Sequence, residues 1–98
     1  MGKNVNATNK NGNLAVIVGI KDEKMGCFLQ VYVQRNLSVA IRGFSEICQK
    51  NENIKNYPND FNFYCLGDIN EENGDILPTP TGAQLISKAK DFIQKETK

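Results

Sequence analysis

Two adjacent segments near the start of the chain predict a β-hairpin. The first, Leu14 to Ile20, is a continuous apolar run rich in β-branched residues (LAVIVGI), and it is short enough to fit a buried strand better than a helix. The second, Cys27 to Gln34, alternates in character (CFLQVYVQ), as a strand with one buried face does. The polar stretch between them therefore joins two antiparallel strands. The core face expected for the second strand consists of Cys27, Leu29, Val31 and Val33.

A helix is predicted to follow the hairpin. Asn36 is a suitable N-cap because its side-chain oxygen can accept from the unpaired amides of the first turn. From Leu37 to about Lys50, apolar residues recur at intervals of three and four, which is typical of a helix packed on a sheet. The order of elements so far is strand, strand, helix.

The second half of the chain predicts two more strands and a last helix. Phe61 to Ile69 alternates as a strand, and Asn73-Gly74 predicts a tight turn into a short return strand from Asp75 to Leu77. Thr81 to Gln84 matches a capping box, which predicts a helix ending near Lys95.

The fold class predicted is α+β, in the order ββαββα, with a small antiparallel sheet, one main helix packed on it and a C-terminal helix. Residues 1–13 are expected to be a disordered Asn-rich arm, and residues 14–77 a single ββαββ domain. Residues 78–80 form a proline-bearing linker, and residues 81–98 the C-terminal helix. The chain of 98 residues has room for one small domain.

The absence of histidine argues against an enzyme, because histidine is the commonest general base and a ligand in most zinc sites. No catalytic residue, metal or cofactor is expected. The three cysteines, at positions 27, 48 and 65, form no C-x-x-C pair and are expected to be apolar core residues in a reducing cytoplasm. No stretch approaches the length of a membrane helix, so we expect no membrane partner.

Charge is distributed unevenly although the net charge is only +1. Residues 59–77 contain five acidic side chains and no basic one, whereas residues 1–58 contain eight basic and four acidic side chains. Nucleic-acid binding would therefore need a local basic patch rather than the charge of the whole molecule.

One such patch is predicted around the second strand. Its alternating face carries Phe28 and Tyr32, and aromatic rings beside cations are how single-stranded DNA is held without sequence preference. The DNA contacts predicted are Lys21, Lys24, Phe28, Tyr32, Arg35 and Arg42, with Lys50 and Lys55 as outlying phosphate partners.

Self-association is also predicted, because the four strands leave a second sheet face to be covered. The apolar stripe of the last helix is expected to pack on a neighbouring subunit, giving at least a dimer. The contacts predicted for this interface are Tyr64, Leu85, Ala89, Phe92 and Ile93.

Several motifs between Leu14 and Leu77 point to one family. They are Lys21-Asp22-Glu23-Lys24 after the first strand, AIRGFS at 40–45, PNDF at 58–61, YCLGDI at 64–69 and GDI at 74–76. In these motifs the chain resembles the small nonstructural protein of gokushoviruses, tailless microvirus phages with circular single-stranded DNA genomes. That family is commonly described as DNA-binding or as the factor for single-stranded DNA synthesis. The resemblance implies a role in phage DNA replication in the host bacterial cytoplasm.

Two functions remain open from the sequence. The first is a non-enzymatic viral nonstructural protein that binds single-stranded DNA during genome replication. The alternative is a homo-oligomeric protein-interaction module that docks on replication, procapsid or host factors without touching DNA. The near-neutral net charge favours the alternative, because neutralising several phosphates normally needs an evident basic stripe.

Overall fold

An antiparallel sheet of five strands with one main helix packed on it forms the architecture, which confirms the predicted α+β class. The computed structural model describes residues 14–93; the predicted arm at 1–13 and the last five residues lie outside this range. The elements are β1 (Leu14–Asp22), β2 (Cys27–Gln34), α1 (Leu37–Lys50), α2 (Glu52–Asn56), a 3-10 turn (Pro58–Asp60), β3 (Phe61–Asn70), β4 (Ile76–Pro78), β5 (Gln84–Lys88) and a second 3-10 turn (Ala89–Phe92).

The sheet is built around β3. Its strand order is β2-β1-β3-β4, and every pairing is antiparallel. One side of β3 pairs with β1 along its whole length, while the other side pairs first with β5, over residues 62–65, and then with β4, over residues 67–69. β2 is therefore one edge of the sheet, and the two short strands share the other edge.

The core lies between the sheet and α1. Phe44 of the helix stacks on Phe63 of β3 with ring centroids 4.5 Å apart and planes 4° from parallel, and both side chains are fully buried. Asn36 caps the helix as predicted, its side-chain oxygen accepting from the Val39 amide at 2.9 Å. The helix covers one face of the sheet, and no other described element covers the opposite face, which we call the open face.

Three β-bulges decide which side chains reach each face. In β2, Leu29 is the extra residue, because Ile20 pairs with Gln30 and Lys21 pairs with Phe28. The bulge shifts the alternation by one residue, so Phe28 lies on the open face while Tyr32 packs against the core. A second bulge, in β3 at Leu66, shifts the alternation opposite Ile17 and Val18, and a third, in β5 at Ile86, shifts it opposite Phe63 and Tyr64.

The core face predicted for β2 is therefore wrong. Cys27, Leu29, Val31 and Val33 are all exposed. The physical reason is that α1 packs on the face that carries Tyr32, so Val31 and Val33 lie on the open face, and the bulge at Leu29 breaks the alternation before them. The other two cysteines, Cys48 and Cys65, are buried without a disulfide, as predicted.

The predicted C-terminal helix is also wrong, since residues 84–88 form β5 and pair with β3. Gly82 has a φ of +91°, a left-handed conformation that an α-helix cannot contain. Its amide donates to the Thr79 carbonyl at 3.1 Å, and this turn reverses the chain onto β3. Pro78 ends β4, so residues 78–80 lead into the turn and do not hold a helical arm away from the sheet.

The last described residues cover the chain's own core. Ala89 is fully buried, and the Phe92 ring meets Phe44 edge-to-face at a centroid distance of 5.9 Å. Ile93 is partly buried against the same cluster. The predicted role of Ala89, Phe92 and Ile93 as a helical stripe on a neighbouring subunit is therefore wrong, because these side chains pack within the chain itself.

Gly67 should be the glycine most sensitive to substitution. It has a φ of +153°, and a Cβ added there would lie 2.4 Å from the Leu77 carbonyl oxygen. Gly67→Ala should lower the free energy of unfolding by ~1–3 kcal/mol through clash and backbone strain. Urea denaturation measures this change.

Gly43→Ala is the matched control. A Cβ at this helical position would meet Gln34 Nε2 at 3.7 Å, an ordinary contact. Because alanine favours helix over glycine, this variant should be as stable as the parent or more stable, by up to ~1 kcal/mol. A Gly67→Ala variant with unchanged stability would contradict the close approach of β4 to β3.

Candidate nucleic-acid interface

A group of aromatic, polar and charged side chains gathers on the open face beside the β1–β2 turn. The strand register brings it together, because Lys21 lies opposite Phe28 in β2 and opposite Asn62 in β3. Tyr64 follows two residues along β3, on the same face as Asn62. We call this group the aromatic cluster; its members are Lys21, Glu23, Phe28, Asn62 and Tyr64.

The two rings of the cluster meet edge-to-face under a shared cation. Their centroids are 5.5 Å apart and their planes make an angle of 76°. The Lys21 ammonium nitrogen lies 5.8 Å from each ring centroid, within the range of cation–π attraction. Both aromatic residues are only half-buried, so ring surface remains open to solvent.

Gly19 makes room for this arrangement. It lies in β1 between its partners Val31 and Tyr64, and a Cβ at this position would be 2.8 Å from Cδ1 of Phe28. The Phe28 ring therefore lies across the strand where a side chain would otherwise stand. The glycine within the apolar run LAVIVGI is explained by this close approach.

Glu23, in the β1–β2 turn, contacts three other members of the cluster. Its carboxylate accepts hydrogen bonds from the Tyr64 hydroxyl and from Asn62 Nδ2, the latter at 2.9 Å, and it lies 3.6 Å from the Lys21 nitrogen. The hydrogen bond from Tyr64, followed by that from Asn62, holds the pKa of Glu23 below its ordinary value. The same bond raises the pKa of the Tyr64 hydroxyl, since ionisation would set two anions side by side.

Two further lysines border the cluster. Lys24 is exposed in the β1–β2 turn, and Lys88 lies opposite Asn62 in β5, on the same face. Lys88 is absent from the sequence-based prediction because its segment was assigned to a helix. Gly82, a residue typical of turns, was the signal that the chain reverses there.

Residues 15–92 match the model of a family described as Phage ORF5 protein. The chain belongs to this family. No curated protein and no solved structure matches it. This match confirms that the chain is a phage protein.

Only part of the predicted DNA-contact set reaches the cluster of this phage protein. Lys21, Lys24 and Phe28 lie together at the β1–β2 end of the open face. Tyr32 does not join them, because its ring faces the core, with its centroid 6.4 Å from that of Phe63. Its hydroxyl is buried with no hydrogen-bond partner among the described residues, and burial raises its pKa.

The remaining predicted cations lie elsewhere. Arg35 follows β2 at the far end of the sheet, where its guanidinium is 3.1 Å from the Glu71 carboxylate. Arg42 and Lys50 are exposed on α1, and Lys55 on α2, so all three belong to the helical side. The structure therefore does not bring these four cations to the surface that holds Phe28.

Tyr64 and Leu85, predicted as oligomer contacts, lie opposite each other in β3 and β5 on the open face. Leu85 is exposed, and so are Val31 and Val33 in β2 and Ile76 in β4, which are elsewhere on the same face. Within residues 14–93, no group of three or more His, Cys, Asp or Glu side chains is placed to hold a metal ion. None of the helices in that range has the length and apolar character needed to cross a membrane.

The Glu23 hydrogen bonds should make stability depend on acid pH. Because the folded chain lowers the pKa of Glu23 from 4.5, its carboxylate stabilises the fold above that pH, and the contribution is lost as the pH falls through the lower folded value. Glu23→Gln keeps an acceptor oxygen but cannot titrate. Urea denaturation across acid pH should show a shallower decline in the variant, and parallel declines would contradict the Glu23 contacts.

Proposed function

We propose that this phage protein is a non-enzymatic single-stranded DNA-binding protein that acts during microvirus-type genome replication in the host bacterial cytoplasm. The observation that carries the proposal is the aromatic cluster, in which the partly buried Phe28 and Tyr64 share one cation on an uncovered sheet face. The resemblance to the gokushovirus nonstructural protein points in the same direction.

Exposed rings on a sheet suit single strands better than duplexes. The bases of a single strand are free to stack on aromatic side chains, and each such contact contributes ~1–3 kcal/mol. In a duplex the base faces are already stacked on one another. Phe28 and Tyr64, at right angles to each other, offer one ring face and one ring edge, so a single base stacking on Phe28 while its neighbour contacts Tyr64 fits the geometry.

The charges around the cluster limit the number of phosphate groups that it can contact. Lys21, Lys24 and Lys88 are the phosphate partners at this end of the sheet. Three phosphate contacts correspond to a slope of about −2 in the logarithm of affinity against that of salt concentration, at ~0.7 per contact for single strands. The acidic β3–β4 turn, with Glu71, Glu72 and Asp75, repels phosphate from the opposite end.

The alternative of a protein-interaction module draws support from a different observation. Val31, Val33, Ile76 and Leu85 expose apolar side chains on the open face, where a protein partner would bury them. Replication, procapsid or host proteins would be the occupants. A binding titration with DNA separates the two functions.

Fluorescence anisotropy with a labelled short oligothymidylate tests the proposal. The parent chain should bind at low salt, and Phe28→Leu, which keeps apolar volume but removes the aromatic ring, should bind at least ~5-fold more weakly from the loss of ~1 kcal/mol or more of stacking. Lys21→Gln should bind more weakly and lower the salt slope by ~0.7.

Two variants on the helical side serve as matched controls. Tyr57→Leu removes an aromatic ring that is 60% exposed after α2, and Lys55→Gln removes an exposed cation, so both should leave the affinity unchanged. Circular dichroism confirms that each variant is folded. A parent chain that fails to bind at low salt would exclude DNA binding and favour the interaction module, and equal losses in the controls would show that the open face is not the contact.

A further inference from the structure

The outer edge of β2 is unpaired within the described residues. β2 pairs with β1 on one side, and no strand and no side-chain hydrogen bond among residues 14–93 reaches its other side. An edge strand of this kind presents a row of backbone N–H and C=O groups that can pair with another strand.

β2 also has few of the features that usually protect such an edge. From Cys27 to Gln34 it contains no charged residue and no proline. Its bulge lies at Leu29, near one end, so the register from Gln30 to Gln34 is regular. The opposite edge of the same sheet is protected, since β4 spans three residues ending in Pro78 and β5 ends in Lys88.

Three apolar side chains of β2 are exposed beside its unpaired edge. Leu29, Val31 and Val33 are 50%, 56% and 45% exposed, respectively. The sequence outside the described range offers little to cover them, because residues 1–13 contain Met1, Val5 and Ala7 as their apolar side chains and residues 94–98 contain none. This composition favours another molecule as the cover.

We propose that β2 pairs with β2 of a second copy of this chain, antiparallel across a two-fold axis, so that two five-stranded sheets become one. Symmetric contact requires a surface that complements itself, and an uncharged strand meets that requirement. Charge favours the antiparallel direction, because parallel pairing sets Arg35 of one copy beside Arg35 of the other, whereas antiparallel pairing places the two arginines at opposite ends of the paired strands.

The paired sheet keeps its two faces distinct. A two-fold axis perpendicular to the sheet leaves both α1 helices on one side and both open faces on the other. The two aromatic clusters then lie on one continuous surface. The pairing itself does not depend on DNA binding, and it is tested without nucleic acid.

Sedimentation equilibrium on the full chain measures the mass directly. The parent should have twice the chain mass of 10.9 kDa. Val31→Lys should shift the mass to 10.9 kDa, because the axis brings two added charges together at the centre of the paired strands. Since Val31 is largely exposed, the variant should still fold, which circular dichroism verifies.

Leu85→Lys is the matched control. Leu85 is 45% exposed on the open face, close to the value for Val33, but lies in β5 away from the β2 edge. This variant should remain dimeric. A monomeric parent at the highest attainable concentration, or a dimeric Val31→Lys variant, would overturn the proposal, and a monomeric Leu85→Lys variant would do so by showing that the copies join through their open faces.

Discussion

One main helix covers only one face of a five-stranded sheet, and the rest of this structure depends on the other face being left uncovered. α1 is fixed on the sheet by Phe44, which stacks on Phe63 at the centre of the core. The 3-10 turn after β5 closes the same core by placing Phe92 against Phe44. All the covering elements among the described residues are then used on one side, so the side chains of the open face are available for partners.

The aromatic cluster depends on two local departures from regular β-structure. The bulge at Leu29 moves Phe28 to the open face and Tyr32 to the core, which separates two rings that strict alternation would place together. Gly19 then lets the Phe28 ring lie across β1 towards Tyr64. Glu23 orients Tyr64 from the adjacent turn and partly offsets the charge of Lys21. The arrangement of side chains on this face is thus set by backbone geometry as much as by residue type.

The elements specified by local interactions could be predicted from the sequence. The hairpin, the helix capped by Asn36 and the short strand after Gly74 all lie where apolar spacing and turn residues indicate. Which face of β2 packs against α1 could not be predicted, because both alternating sets of its side chains include apolar residues and the bulge at Leu29 leaves no mark in the sequence. The prediction of a C-terminal helix is wrong because its capping pattern requires a helical Gly82. The backbone instead turns at Gly82, and β5 then pairs with β3. Of the candidate site, Lys21, Lys24 and Phe28 were predicted together, and Lys88 was missed with its strand.

We propose that the β1–β2 end of the open face is where this phage protein binds single-stranded DNA. An NMR titration of the isotope-labelled chain with a short oligothymidylate tests it most directly, because each backbone amide reports its own surroundings. The account predicts shifts confined to the β1–β2 turn and to the strand ends that carry Lys21, Phe28, Asn62, Tyr64 and Lys88. Shifts along α1 instead, or a spectrum that the oligonucleotide leaves unchanged, would contradict it.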